Sequence, residues 1–129
     1  MTYNEKRRAY FIPYLEKIKS FGYKVRISNS EYYHYAYIID KHNVVGYCEI
    51  GDFDWFNMST CHHPTRECGT GFSVARGVSL ADLTPSLVER CFCIVPQRFS
   101  STYNALVKKV VIDDGSKRSQ WILDNSVEI

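Results

Sequence analysis

The sequence predicts an α+β fold: an N-terminal helix, an antiparallel sheet of about four to five strands, then one or two helices, all in a single domain spanning residues 1–129. Three observations carry this. An apolar stripe at helical spacing precedes Gly22, residues alternate with period two between Tyr23 and Ile50, and a Thr84–Pro85 pair opens a later helix. Strands and helices do not alternate along the chain, which argues against a doubly wound dinucleotide-binding sheet.

Residues 4–21 form the first predicted helix. Phe11, Leu15 and Ile18 stand at i, i+4 and i+7, with Tyr14 and Phe21 extending the stripe and Lys6, Arg7, Glu16, Lys17 and Lys19 free to face water. Pro13 lacks an amide donor, so it predicts either a kink or a helix that begins near Ile12. Gly22 supplies the stop. Tyr23, Val25 and Ile27 then alternate with Lys24, Arg26 and Ser28 as a first strand, and Tyr32–Ile39 reads as a second. The polar loop Asp40–Asn43 turns the chain into a third strand, Val44–Ile50, and Phe53–Thr60 reads as a fourth.

Cys61–Gly71 is the longest irregular stretch, punctuated by Pro64, Gly69 and Gly71, and Phe72–Arg76 re-enters the sheet. Thr84 as N-cap and Pro85 at the first helical position open a short helix through Leu87, Val88 and Cys91, which ends before Pro96. Residues 100–112 read two ways. Leu106–Val107 and Val110–Val111 repeat every four residues, as in a helix capped by Ser100 or Ser101. The alternative is a hairpin turning at Asp114–Gly115 toward Trp121–Leu123.

Composition narrows the function classes. Among 129 residues, 45% are hydrophobic and 15% aromatic, with ten Tyr, seven Phe and two Trp, a content that a disordered chain does not carry. The 16 basic and 14 acidic residues leave +2, so net charge predicts neither a polyanion grip nor an acidic mimic of DNA. No signal-peptide h-region follows Lys6–Arg8, and no apolar run reaches the length of a membrane span. With Cys48, Cys61, Cys68, Cys91 and Cys93 making an odd count, the expectation is a cytoplasmic protein with reduced thiols and no membrane association.

Few constellations point to chemistry. Cys61, His62, His63 and Cys68 hold the ligand types zinc takes, and are the candidate metal site. The spacing lacks a Cys-x2-Cys knuckle, so the expectation is no cofactor, with zinc as the exception to test. Cys61 or Cys68 with His62, His63 or His34 as base, oriented by Asp52 or Asp54, would be the set for thiol catalysis, yet no signature surrounds them. A non-enzymatic protein is therefore the leading expectation. Cys91 and Cys93 flank apolar residues and read as core. Gly69–Thr70–Gly71 lacks the lysine and hydroxyl of a phosphate loop and reads as turn geometry. Asp52 and Asp54 would share a strand face, but without companion ligands they read as solvated turn residues.

Binding has more support. Five of the ten tyrosines fall between Tyr32 and Tyr47, inside one predicted hairpin. Tyr33, Tyr35, Tyr37 and Tyr47, with Lys24 and Arg26 on a neighbouring strand, are the candidate partner-binding residues. Aromatic and cationic side chains together serve as anchors of protein interfaces. The same mixture stacks the bases of single-stranded nucleic acid, which makes nucleic acid the alternative partner. Cross-strand pairing accounts for some of these rings, since both faces of one strand cannot be solvent.

Ser59–Phe72, STCHHPTRECGTGF, and Val78–Pro96, VSLADLTPSLVERCFCIVP, resemble small accessory proteins of tailed bacteriophages, over about a third of the chain. The resemblance brings no catalytic motif. It implies a viral protein that binds a host protein in the host cytoplasm, as an inhibitor of a host enzyme or of a defence system such as CRISPR-Cas.

Overall fold

A computed structural model describes residues 1–31, 34–63, 71–93 and 108–129. Helix α1 runs Tyr3–Ser20 and starts earlier than its apolar stripe. Thr2 accepts from the Glu5 amide while the Glu5 carboxylate accepts from the Thr2 amide, a capping box that fixes the first turn. Pro13 lies inside the helix, which continues through it from Tyr3. Phe11, Tyr14, Leu15 and Ile18 are its buried face, as the spacing requires.

The sheet has six antiparallel strands: β1 Lys24–Ser28, β2 Tyr35–Ile39, β3 Val45–Ile50, β4 Phe56–Thr60, β5 Ser73–Ala75 and β6 Ser126–Glu128, in the order β5-β4-β3-β2-β1-β6. The first five follow one another as a meander, and β6 adds to the free side of β1. The α+β class is as the sequence predicts, with a sixth strand beyond the four or five expected. β6 escapes sequence reading because three residues are too few to show alternation.

Register assigns the faces. Tyr37 lies opposite both Arg26 and Tyr47, and Tyr47 opposite Ser59, so these side chains share one face. The other face presents Val25, Ile27, Ala36, Ile38, Cys48, Ile50, Phe56 and Met58 to α1, to helix α2 (Pro85–Glu89) and to the 3-10 turn Arg90–Phe92, forming the main core. Tyr14 stacks on Phe56 with ring centroids 4.3 Å apart, and Phe11 meets the same ring at 5.9 Å. A smaller core of Tyr37, Ile39, Val45, Cys61, Val110 and Ile122 lies on the tyrosine face under helix α3, Lys117–Asp124.

Three sequence expectations need correction. The fourth strand begins at Phe56, because Asp52–Asp54 is a tight 3-10 turn in which Phe53 and Asp54 adopt left-handed φ of 60° and 59°. Asp52 and Asp54 therefore do not share a strand face. Trp121–Leu123 is helical, not a returning strand: Ser116 caps α3 by accepting from the Ser119 amide, and Asp113–Gly115 turns into a helix. Lys108–Ile112 is extended, bridging Asn43–Val45 and His62–His63 through backbone hydrogen bonds, so Val110–Val111 belongs to no helix. Leu106, Val107 and the proposed caps Ser100 and Ser101 lie outside the described residues. The Thr84 cap and Pro85 start of α2 are as read, with Thr84 Oγ1 accepting from the Leu87 amide.

Candidate functional site

Eight helical residues span only about 12 Å, so α3 covers one end of the tyrosine face and leaves the other open. The uncovered end is a cross-strand row, Tyr35 opposite Glu49 and Glu49 opposite Asn57. It floors a cleft of about 660 Å³. Tyr47 completes the floor, while Phe53, Trp55, Arg76 and Arg7 form the walls and rim. His34 also borders the cleft, but it lies opposite Ile50 on the ladder, which puts its ring on the α1 side of the sheet. The cleft volume falls within the range of small-ligand sites.

The rim owes its shape to Arg7, which reaches from α1 around the end of the sheet. Its guanidinium donates to the carbonyls of Ile50 and Gly51 at 2.5 and 2.9 Å, and its Nε stands 3.4 Å from the Asp54 carboxylate. These contacts hold the Asp52–Asp54 turn, which places Phe53 almost wholly in solvent, 88% exposed, with Trp55 55% exposed beside it. Trp55 lies across the backbone of Gly77, where φ is +61° and an added Cβ would touch the indole at 3.8 Å. Gly77 donates its amide to Asn57 Oδ1, tying this wall to the floor.

A left-handed backbone strains any residue with a Cβ, by about 1–2 kcal/mol each. Phe53→Gly relieves that strain and gives back about 0.5–1 kcal/mol in unfolded-chain entropy. The expected net is a gain of about 0.5–1 kcal/mol, read as a higher urea midpoint at unchanged slope.

On the floor, the Tyr47 hydroxyl donates to Glu49 Oε2 at 3.1 Å, and burial followed by the Glu49 charge pushes the Tyr47 phenol pKa up, so it remains a donor. The Tyr35 and Tyr47 rings lie 5.9 Å apart. His34 is only 4% exposed, and neither ring nitrogen has a hydrogen-bond partner among the described residues. Burial, then the charges of Arg7 and Arg8, hold its pKa below the usual imidazole value, with Asp54 opposing. His34 is therefore neutral near pH 7, offering one donor and one acceptor.

The candidate partner-binding residues divide. Tyr35 and Tyr47 line the cleft. Tyr37 is 1% exposed and packs beneath α3, so its ring serves the smaller core. Arg26 donates to Ser126 Oγ and to the carbonyls of Leu123 and Ser126, fastening the α3–β6 junction. Lys24 is exposed at the far end of β1, opposite Ile39 and away from the cleft. Tyr33 lies outside the described residues. The sequence reading passed over Trp55, Phe53, Arg7 and Arg76 as site residues. Its only available sign was an aromatic run on both faces of the supposed fourth strand.

The candidate metal ligands are dispersed where they are described. Cys61 packs in the smaller core, its thiol pKa raised by burial with Arg118 opposing. His62 is buried and stacks on Phe72 at 5.1 Å, and His63 is half-buried with its amide bonded to the Lys108 carbonyl. Cys68 lies outside the described residues, among which no group of three or more His, Cys, Asp or Glu converges as a metal site. Gly71 has a steric role: an added Cβ would stand 2.2 Å from the Thr60 carbonyl oxygen. Of the two cysteines read as core, Cys91 is buried, while Cys93 is exposed because the 3-10 turn ends there in extended backbone. No described helix is long and apolar enough to cross a membrane.

No protein-family model matches the chain, and comparison with curated proteins and with solved structures finds no significant match.

Proposed function

We propose that this protein works without catalysis, by binding a macromolecular partner, a protein, through the Phe53–Trp55 ridge at the mouth of the cleft. One observation carries the reading. A strained turn, fastened by Arg7, holds two large aromatic side chains outside the core, where folding alone gives them no reason to be. Local strain of this kind concentrates at functional positions. Exposed Trp and Phe beside a concave surface are the residue types that anchor interfaces. The resemblance to phage accessory proteins supports a host enzyme or a defence complex such as CRISPR-Cas as the partner, with the protein acting as its inhibitor.

The test is affinity capture from host lysate after nuclease treatment, comparing wild type with the Phe53→Ala/Trp55→Ala double variant. Both side chains are exposed, so the variant should keep its cooperative urea transition. Wild type should retain a discrete protein partner, and the variant should retain at least about tenfold less, the effect of losing one or two interface anchors. Equal capture by the folded variant would reject the ridge as the binding surface.

A further inference from the structure

The cleft has a chemistry of its own beyond the ridge, with which it shares Trp55. Its polar groups carry both signs and both hydrogen-bond senses. Glu49 receives the Tyr47 hydroxyl on Oε2, which leaves Oε1 as an acceptor. Arg76 is exposed on the rim and makes no ion pair with any described residue.

This combination discriminates between ligand types. A carboxylate or phosphate on the floor would be repelled by Glu49, and a cationic side chain would meet Arg76 and Arg7. A neutral, planar heterocycle with donors along one edge meets neither penalty. It gains an aromatic surface on Trp55, where base stacking contributes substantially. A carboxylate on the floor selects for adjacent N–H donors, which guanine presents on its N1 and N2 edge. A phosphate attached to that base would project outward to Arg76, a guanidinium suited to it.

We propose that the cleft is a binding site for guanine nucleotide, with the base on Trp55, its N–H edge on Glu49, and the phosphate on Arg76. The chemistry is the same for a free mononucleotide and for one nucleotide of a single strand, so the experiment separates the two. It goes beyond the protein-partner reading and does not depend on it.

Isothermal titration with GMP, AMP and UMP tests the site directly. GMP should bind, and AMP and UMP should bind at least about tenfold more weakly, because each would leave the Glu49 acceptor without its paired donors. Glu49→Gln should weaken GMP at least about tenfold. Arg76→Gln, at an exposed position that leaves the fold intact, should weaken GMP while leaving guanosine unchanged. GMP binding is titrated on the purified protein and partner capture is assayed without added nucleotide, so the two proposals fail separately. A five-nucleotide RNA with one central guanine identifies the source. Tighter, salt-sensitive binding than GMP assigns a single strand, and equal or weaker binding assigns the free nucleotide. Absence of binding to GMP and to this RNA, equal binding of GMP and AMP, or GMP binding unaffected by Glu49→Gln would overturn the proposal.

Discussion

Phe56→Ala should lower the stability of this protein by about 3–5 kcal/mol, the range for removing a buried aromatic ring. The ring is 1% exposed, stacks on Tyr14 at 4.3 Å and meets Phe11 at 5.9 Å. It is thus the place where α1 closes on the start of β4, next to the β5 edge of the sheet. Contraction around the void is resisted, because α1 is separately tied to the sheet end through Arg7. Urea denaturation gives the measurement, and a loss under about 1.5 kcal/mol would show that α1 can collapse onto the space. Trp55, the preceding residue, is the internal control: Trp55→Ala should cost less than about 1 kcal/mol, since its ring is largely in water. Adjacent aromatic residues thus divide between core and surface, because β4 begins between them.

Stability should also fall with acid below about pH 6.5, through His34. Its folded pKa is lowered, by burial first and then by Arg7 and Arg8, while Asp54 pulls the other way. The unfolded chain therefore takes up a proton at a pH where the native imidazole does not. The contribution is present in full above the unfolded value of about 6.5, and is lost as pH falls from there toward the folded pKa, with a slope of at most about 1.4 kcal/mol per unit. His34→Leu removes the titration along with two buried ring nitrogens that have no hydrogen-bond partner among the described residues. Its urea stability should equal or exceed wild type at pH 7.5, and its loss between pH 7.5 and 5 should be visibly smaller. Parallel stability curves for the two proteins would show that His34 does not set this dependence.

Much of the framework was legible because burial leaves periodic traces. Phe11, Leu15 and Ile18 marked the face of α1, and Val25 and Ile27 marked β1. The polar loop Asp40–Asn43 placed the β2–β3 turn, where Asp40 Oδ1 accepts from the amides of His42 and Val44. Other features left no local trace. A left-handed Phe53 has no residue signature, since glycine or asparagine would normally mark such a position. The role of Arg7 depends on contacts 43 and 44 residues away, which pattern reading does not reach.

The tyrosine run shows the same boundary at finer scale. Alternation placed Tyr35 and Tyr37 on one face, and the structure agrees. Whether that face meets water was decided by α3, eight residues of which the sequence suggests only Trp121–Leu123, and those as the return of a hairpin. Where α3 lies, Tyr37 is core; where it stops, Tyr35 and Tyr47 border a cleft. Burial of the tyrosines was set by an element at least 70 residues downstream, so composition could locate an aromatic surplus without saying which rings are free.

The attachment of β6 to β1 has a kinetic meaning. Strands β1 to β4 pair with sequence neighbours across short turns, so they can assemble quickly from local contacts. The β1–β6 pair, sealed by Arg26 on Ser126, joins residues 100 positions apart and closes the longest loop in the fold. That closure becomes favourable only once the meander exists to receive it. The sheet is therefore completed in two stages. The last strand to be gained on folding should then be the first surrendered in a partial opening, seen as faster amide exchange in β6 than in β2 and β3.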